Sequence, residues 1–426
     1  MGGALPATIV ALSSGRLPAA IAVIRTSGPA ALGAAQALAG KPPAPRRASL
    51  RSFRDPADGA LIDRGLVLFF PGPDSSTGED IVEYQCHGSK AVVAALIAAL
   101  SALPGMRHAE AGEFTRRALA NGRIDLTQAE GLAELLESES EAQRISALRR
   151  AEGGLRREIE RWRGTLLELA AEAEVAIDYA DEEDGASRFD PSRRLAALIE
   201  ALDAQLAAPR VERLRDGVRV VVAGPPNAGK SSLVNALAGE ARAIVTAVPG
   251  TTRDLVEVPL SIAGIPLTLV DTAGLRETHD EVERIGVELA GREMARADLL
   301  LWLGAEIDLP THPLCRLIAG KADLHANQVG HRVSVTDGEG LDTLRRWIAS
   351  QAVGIVSSTE QPTLNEREAA LLTDCRSSLA RATKVADSVL VAEELRLARG
   401  SLDRISGLSG VEGLLDALFG RFCLGK

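Results

Sequence analysis

Residues 224–231 read Gly-Pro-Pro-Asn-Ala-Gly-Lys-Ser, a G-x-x-x-x-G-K-S spacing suited to wrapping the phosphates of a nucleotide. The glycines allow a tight turn in which successive N–H groups and the positive end of a following helix point at the anion. Lys230 is expected to reach the terminal phosphates and the Ser231 hydroxyl to bind Mg²⁺. Asn227, Ala228, Gly229 and Ser232 complete the cradle. The pattern has meaning only between a strand and a helix. Residues 219–223 (Arg-Val-Val-Val-Ala) predict a buried strand, and residues 232–237 predict a helix start.

Further elements follow in the order a GTPase requires. Thr251-Thr252-Arg253-Asp254 lies in an expected mobile loop after Pro249-Gly250, where a threonine hydroxyl, taken as that of Thr252, completes the Mg²⁺ shell. Thr246, Ala247 and Val248 before it are expected at the nucleotide site. Residues 267–270 predict a strand ending in Asp271-Thr272-Ala273-Gly274. The Asp271 carboxylate would act through the Mg²⁺ shell and the Gly274 N–H would sense the γ-phosphate. Leu275 stands where Ras-like GTPases keep a water-orienting glutamine. Glu283 is therefore either the residue that positions water or a solvated helical glutamate. Guanine selection normally uses Asn-Lys-x-Asp; here Gly320-Lys321-Ala322-Asp323 retains the carboxylate for guanine N1 and N2 but replaces the asparagine with glycine. Ser334-Val335-Thr336 loosely matches a base-contacting loop. A degenerate nucleotide-binding scaffold is one reading of Gly320.

These elements must be positioned by a chain of 426 residues, long enough for about three domains. Hydrophobic residues are 46% and aromatic residues 3%, so the cores must be aliphatic. The net charge of −10 excludes broad attraction to nucleic acid or anionic membranes, leaving any RNA contact to a local basic patch. Cys86, Cys315, Cys375 and Cys423 lack C-x-x-C spacing, which suggests neither a disulfide framework nor zinc, and fits a cytoplasmic protein. The longest apolar stretch, residues 91–100, is too short to span a bilayer.

The expected fold is multidomain α/β. Residues 1–118 mix strands (20–24, 65–70, 81–85) with a helix near 90–103. Residues 119–212 plus 360–426 form a helical domain, with helical pattern over 364–397 and 402–422. Residues 213–358 form an inserted P-loop G domain with a doubly wound, mostly parallel sheet. Thr127-Gln128-Ala129-Glu130 reads as a capping box. Residues 144–163 hold seven arginines among acids, either a solvated helix face or an RNA-contacting stripe. Residues 181–185 read as an acidic loop between helices.

Taken together the motifs resemble the bacterial tRNA modification GTPase family called MnmE or TrmE. The decisive residues lie outside the G domain: Phe422-Cys423-Leu424-Gly425-Lys426 is similar to the family's terminal Cys-x-Gly-Lys, and residues 71–80, 111–118 and 122–130 resemble its N-terminal motifs. The resemblance implies a folate-binding-like N-terminal domain in which Arg25, Glu83 and Arg123 line a site for a one-carbon tetrahydrofolate, a guanidinium pairing with the folate's glutamate and Glu83 facing the pterin. It implies K⁺ held by Asn227, Thr246, Val248 and Thr251, and a catalytic role for Glu283. It further implies a homodimer and a heterotetramer with an FAD-dependent MnmG-type partner that modifies C5 of the tRNA wobble uridine. Cys423 is read either as an inert thiol near a terminus or, by the resemblance, as needed for the modification. The alternative function is an Era- or Der-like GTPase switch in ribosome assembly.

Overall fold

The computed structural model describes residues 7–178, 190–207, 211, 217–240, 242–243, 256–272, 290–324, 329–356, 362–409, 418–420 and 425. By internal contacts the chain groups into two units, Met1–Ala133 with Ser406–Lys426, and Glu134–Ile405. The acidic residues 181–185 lie outside the described residues.

The first unit holds β1 (Thr8–Leu12), β2 (Ala19–Ser27), α1 (Ala31–Ala39), β3 (Ser49–Arg54), β4 (Leu61–Phe70), β5 (Ile81–Gly88), α2 (Lys90–Ser101), β6 (Met106–His108), α3 (Glu113–Ala120) and the start of α4 (Leu126–Glu137). The strands order as β3-β4-β5-β2-β1-β6, antiparallel except for the parallel β1–β6 pair. Strand alternation explains the layering: Val82, Tyr84 and Cys86 of β5 enter the core with α1 and α2, while Glu83, Gln85 and His87 take the other face. Gly65 allows the closest approach in the sheet, because a Cβ there would lie 1.9 Å from the Gln85 carbonyl oxygen. The cap of α4 falls two residues before the expected one. Gln128 N–H donates to Asp125 Oδ1 at 2.9 Å and Asp125 N–H donates to Gln128 Oε1 at 3.2 Å, so Asp125, not Thr127, starts the helix. Thr127 instead donates its hydroxyl to Asp125 Oδ1.

The second unit begins with α5 (Glu141–Ala151), α6 (Gly154–Asp178) and α7 (Ser192–Leu206). The nucleotide-type region follows: β7 (Val218–Ala223), α8 (Lys230–Glu240), β8 (Arg242–Ala243), β9 (Val256–Ile262), β10 (Ile265–Asp271), β11 (Leu299–Trp302), β12 (Cys315–Gly320), β13 (His331–Val333) and α9 (Leu341–Val356). It closes with α10 (Glu366–Ala382) and α11 (Ser388–Ser406). The sheet runs β13-β12-β11-β7-β10-β9-β8, parallel from β13 to β10 and antiparallel at β9 and β8. The near-continuous valines of β7 are buried on both faces, as a central parallel strand requires. Val218, Val220 and Val222 join the core containing Leu237 of α8 and Leu344 of α9. Val221 and Ala223 join Val270 and Leu300 in a separate cluster on the opposite face.

The helices before and after the G region share one core. Leu155, Ile159, Trp162, Leu166 and Leu169 repeat at helical spacing along α6 and belong to the same cluster as Leu372 and Leu379 of α10 and Leu395 and Leu402 of α11. The expected helix over 364–397 is broken at residues 383–387, and α11 continues to Ser406 past the expected break; Asp387 Oδ1 accepts from Val389 N–H at α11's start.

The arginine-rich stretch is neither a uniform solvated face nor an open cationic stripe. It divides between α5 and α6, and Arg144, Arg156, Arg161 and Arg163 each form an ion pair with a carboxylate. Arg150 is fully buried. Its Nη1 donates to the Thr363 carbonyl at 2.6 Å and to Glu368 Oε2 at 2.8 Å, its Nη2 donates to Glu368 Oε1 at 3.0 Å, and its Nε lies 3.1 Å from Glu134. The Ser146 and Thr363 hydroxyls meet at 2.9 Å, and Val211 N–H donates to the Leu364 carbonyl at 3.0 Å. The segment leaving the G region is thereby fastened to α5 and to the segment entering it. Glu368→Gln strands the buried guanidinium and should cost about 3–5 kcal/mol of stability in urea unfolding, whereas Arg150→Met with Glu368→Leu should recover most of the loss.

Candidate functional site

The phosphate loop follows directly from β7. Gly224 sits at φ +147°, and a Cβ there would lie 2.7 Å from the Leu303 carbonyl oxygen; Gly229 sits at φ +97°. Both conformations favour glycine. Asn227 adopts φ +61°, a left-handed state that asparagine tolerates better than most residues. Lys230, almost fully buried, opens α8, and its Nζ donates to the Gly224 and Pro225 carbonyls at 3.0 and 2.8 Å. Its charge is thus held at the loop, beside N–H groups at a helix N-terminus.

Parallel pairing brings the second element to the same place. Asp271, at the end of β10, is in register with Val222, and the Thr272 hydroxyl donates to the Val222 carbonyl at 2.9 Å. The buried Asp271 carboxylate is therefore set beside the root of the loop, in the chain order needed for a metal-shell ligand. Asn227, Ala228, Gly229, Lys230, Ser231, Ser232, Asp271 and Thr272 are all described. Thr246, Ala247, Val248, Pro249, Gly250, Thr251, Thr252, Ala273, Gly274, Leu275 and Glu283 lie outside the described residues.

A cleft of about 300 Å3 adjoins the loop and is lined by Ala228, Gly229, Ser232, Lys321, Asp323 and Thr336 among others. Exposed Lys321 adopts φ +55° and donates its Nζ to the Asn227 carbonyl at 3.0 Å, joining the base loop to the phosphate loop. Ser334 does not line this cleft. It is buried, its backbone N–H bonds the Glu339 carbonyl and its hydroxyl accepts from Asp337 N–H at 3.4 Å, so it shapes the turn that presents Val335 and Thr336. A Cβ on Gly320 would lie 3.3 Å from the Ala228 carbonyl oxygen, close to the phosphate loop. Gly320→Asn should gain one hydrogen bond to that loop and tighten GTP binding by roughly 3- to 10-fold in nucleotide titrations without admitting ATP. Tighter ATP binding would refute this role for the glycine.

Two of the three candidate residues of the first unit are brought together. Arg25 and Glu83 face each other across β2 and β5, and Arg25 Nε and Nη2 donate to Glu83 Oε1 at 3.0 and 2.7 Å. The guanidinium also lies 5.7 Å from the centre of the Phe114 ring. Arg25 is thus already paired with a carboxylate of this chain, while Glu83 Oε2 takes no hydrogen bond among the described residues. Exposed Arg123 lies 3.7 Å from Asp74 and is not bonded to the Arg25–Glu83 pair.

The N-terminal motifs hold a network that residue-by-residue reading missed. Glu79 accepts from the Ser27 hydroxyl at 2.7 Å and from Arg117 at 3.0 Å; Arg117 and Arg107 both bind Glu113. Asn121 donates to the Thr77 carbonyl at 2.7 Å. Burial raises the Glu113 carboxyl, but hydrogen bonds from Arg107, the Glu110 N–H and Arg117 outweigh it and bring the group to about 2. Because the Glu113 pKa is lowered, its ionised form contributes stability above the ordinary carboxylate range that is lost as pH falls toward 2. Its signal was the run of charged residues inside the motifs at 79–80 and 113–117.

The terminal motif also meets this unit. Gly425, at φ +97°, is buried against β1: a Cβ would lie 2.1 Å from the Leu12 carbonyl oxygen, and the Ser13 hydroxyl donates to the Gly425 carbonyl at 2.8 Å. Cys423 lies outside the described residues.

Residues 8–123 match the family model described as the GTP-binding protein TrmE N-terminus, and residues 126–423 match the MnmE helical domain. The tRNA modification GTPase MnmE of Rhizorhabdus wittichii is 49% identical, with 100% of this chain and 98% of that protein aligned. The protein of the same name from Novosphingobium aromaticivorans is 48% identical, with 98% and 99% aligned. Among solved structures, the G domain of the T. maritima FeoB iron transporter matches 32% of this chain and 98% of its own at 24% identity and a TM-score of 0.25.

Proposed function

The chain belongs to the MnmE (TrmE) family of tRNA modification GTPases, and from that premise we propose that its GTP hydrolysis drives addition of an aminomethyl- or carboxymethylaminomethyl-type group at C5 of the tRNA wobble uridine. The observation that carries this reading is the conjunction of a formed phosphate loop with a family match along almost the whole chain. The Era- or Der-like alternative gives no account of residues 8–123.

The loop N–H groups and Lys230 bind and orient the phosphates. Lys321 and Asp323 select guanine, the carboxylate accepting from the base edge. Ser231, Thr252 and Asp271 would hold Mg²⁺; Asn227, Thr246, Val248 and Thr251 would hold K⁺, and the two ions supply positive charge to the phosphates when bound. The exposed Asn227 side chain makes no hydrogen bond among the described residues, which suits a ligand role. Leu275 has no group to orient water, so Glu283 takes that task.

Folate binding is the finer reading of the first unit. Glu83 offers to the pterin the oxygen that takes no hydrogen bond among the described residues, Arg25 fixes the Glu83 carboxylate, and exposed Arg123 offers its charge to the glutamate tail. The domains proposed are residues 1–118, 119–212 with 360–426, and 213–358. A homodimer joined to an FAD-dependent MnmG-type partner in the cytoplasm completes the proposal, with Cys423 serving the modification. No helix among the described residues is long and apolar enough to cross a membrane.

Nucleoside analysis of tRNA from cells lacking the chain should show unmodified wobble uridines, restored by the wild-type protein and not by Lys230→Ala. Unchanged wobble uridines in the deletion overturn the proposal. Replacing K⁺ by Na⁺ should slow GTP hydrolysis roughly tenfold or more, and Asn227→Ala should abolish the difference. Equal rates in the two salts would remove Asn227 from the ion site.

A further inference from the structure

Residues 41–54 of the first unit carry Lys41, Arg46, Arg47, Arg51 and Arg54 with no carboxylate among them, in a chain whose net charge is −10. The segment leads into β3, which forms the edge of the six-stranded sheet, and Arg64 is exposed on the adjacent β4. Lys41, Arg46, Arg47 and Arg54 are exposed and Arg51 is half-buried. None of these six cations forms an ion pair among the described residues, whereas the arginines of α5 and α6 that the sequence offered as an RNA stripe are mostly engaged with carboxylates.

The cations are also held in place. Arg46 adopts φ +56°, a strained state for a side-chain-bearing residue; its N–H donates to the Phe69 carbonyl at 2.7 Å, and its guanidinium lies 5.9 Å from the Phe70 ring centre and donates to the Asp74 carbonyl. Arg54 Nη1 donates to the Gly59 carbonyl at 2.9 Å and Arg51 Nη1 to the Leu50 carbonyl at 3.2 Å. Carbonyls orient these heads without neutralising them. Charge on an edge strand also guards against strand pairing, but that need does not extend to Lys41, Arg46 and Arg47 before β3 or to Arg64 on β4.

We propose that the exposed cations Lys41, Arg46, Arg47, Arg54 and Arg64 form a surface that contacts the phosphate backbone of tRNA; Arg51, opposite Gly65 rather than Arg64, lies on the other face of the sheet. The occupant follows from charge. A second copy meeting the same edge across a two-fold would set like charges together, whereas a polyanion neutralises them and releases counterions. The proposal rests on the tRNA reading above.

The test measures binding of the full-length protein to unfractionated tRNA by fluorescence anisotropy across a KCl series. Arg47→Gln with Arg64→Gln removes two unanchored cations; affinity near 0.1 M KCl should fall roughly tenfold, and the slope of log K against log salt should shrink by about one to two. The control, Arg144→Gln with Arg161→Gln, removes equal formal charge from paired arginines and should leave affinity within about twofold; GTP hydrolysis without tRNA should be unchanged in both. Equal losses in the two double variants would assign the effect to net charge and overturn the surface. Wild-type affinity and slope in Arg47→Gln with Arg64→Gln would overturn it while the tRNA reading stands, and a wild-type protein that binds no tRNA would remove both. Altered self-association with unchanged tRNA affinity would assign the edge to a second copy and overturn the proposal.

Discussion

A fully buried guanidinium, that of Arg150, holds the second unit in register. A G region inserted into a helical core leaves two chain segments, entering and leaving, that must return to the same place. Arg150 binds the Thr363 carbonyl and both oxygens of Glu368, and Glu368 in turn accepts from Asn365 N–H at the start of α10. A charge so buried is tolerable only because both terminal nitrogens are hydrogen-bonded and the Glu134 and Glu368 carboxylates lie against it, so the arrangement admits few alternatives. The same α5 meets the G region at its other end, where Ala142 N–H donates to Gly264, in the turn between β9 and β10. Since β10 ends in Asp271, the helix that anchors the exit segment also touches the hairpin leading to the phosphate site.

The two ends of the nucleotide site are built on different physics. At the phosphate end, glycines and the parallel register of β7 with β10 place backbone donors, Lys230 and Asp271 together, with little dependence on distant side chains. At the base end the glycine at 320 removes a side-chain amide, and Lys321 makes the observed connection to the phosphate loop through the Asn227 carbonyl. A flexible lysine holds a loop less tightly than a short amide, because more rotamer freedom is lost in forming the bond.

In the first unit, the motifs that announced the family hold side chains against one another. Glu79, Glu113, Arg107 and Arg117 satisfy each other, and Gly425 approaches the last residue of β1, Leu12, where a Cβ would collide. The glycine at 425 is thereby explained by close backbone approach.

The amino-acid sequence alone determined what depends on contiguous residues. The phosphate loop was legible because eight consecutive positions carry its geometry, and the strands and the aliphatic cores because period-2 and helical spacing are local. One local detail still escaped: Asp125 outcompeted Thr127 for the cap of α4 because its carboxylate reaches the N3 amide. Tertiary structure decided what depends on partners far along the chain. Arg150 reads as a surface arginine until Glu368 is brought to it, and nothing in the order of residues pairs Arg25 with Glu83 until β5 sets the two opposite. The two arginine-rich stretches differ in composition, one set among acids and the other without a carboxylate, but which arginines are paired was decided by the fold. Arg150 and Arg163 find Glu368 and Asp403 more than two hundred positions along the chain, because an ion pair is a property of distance and sequence records only order.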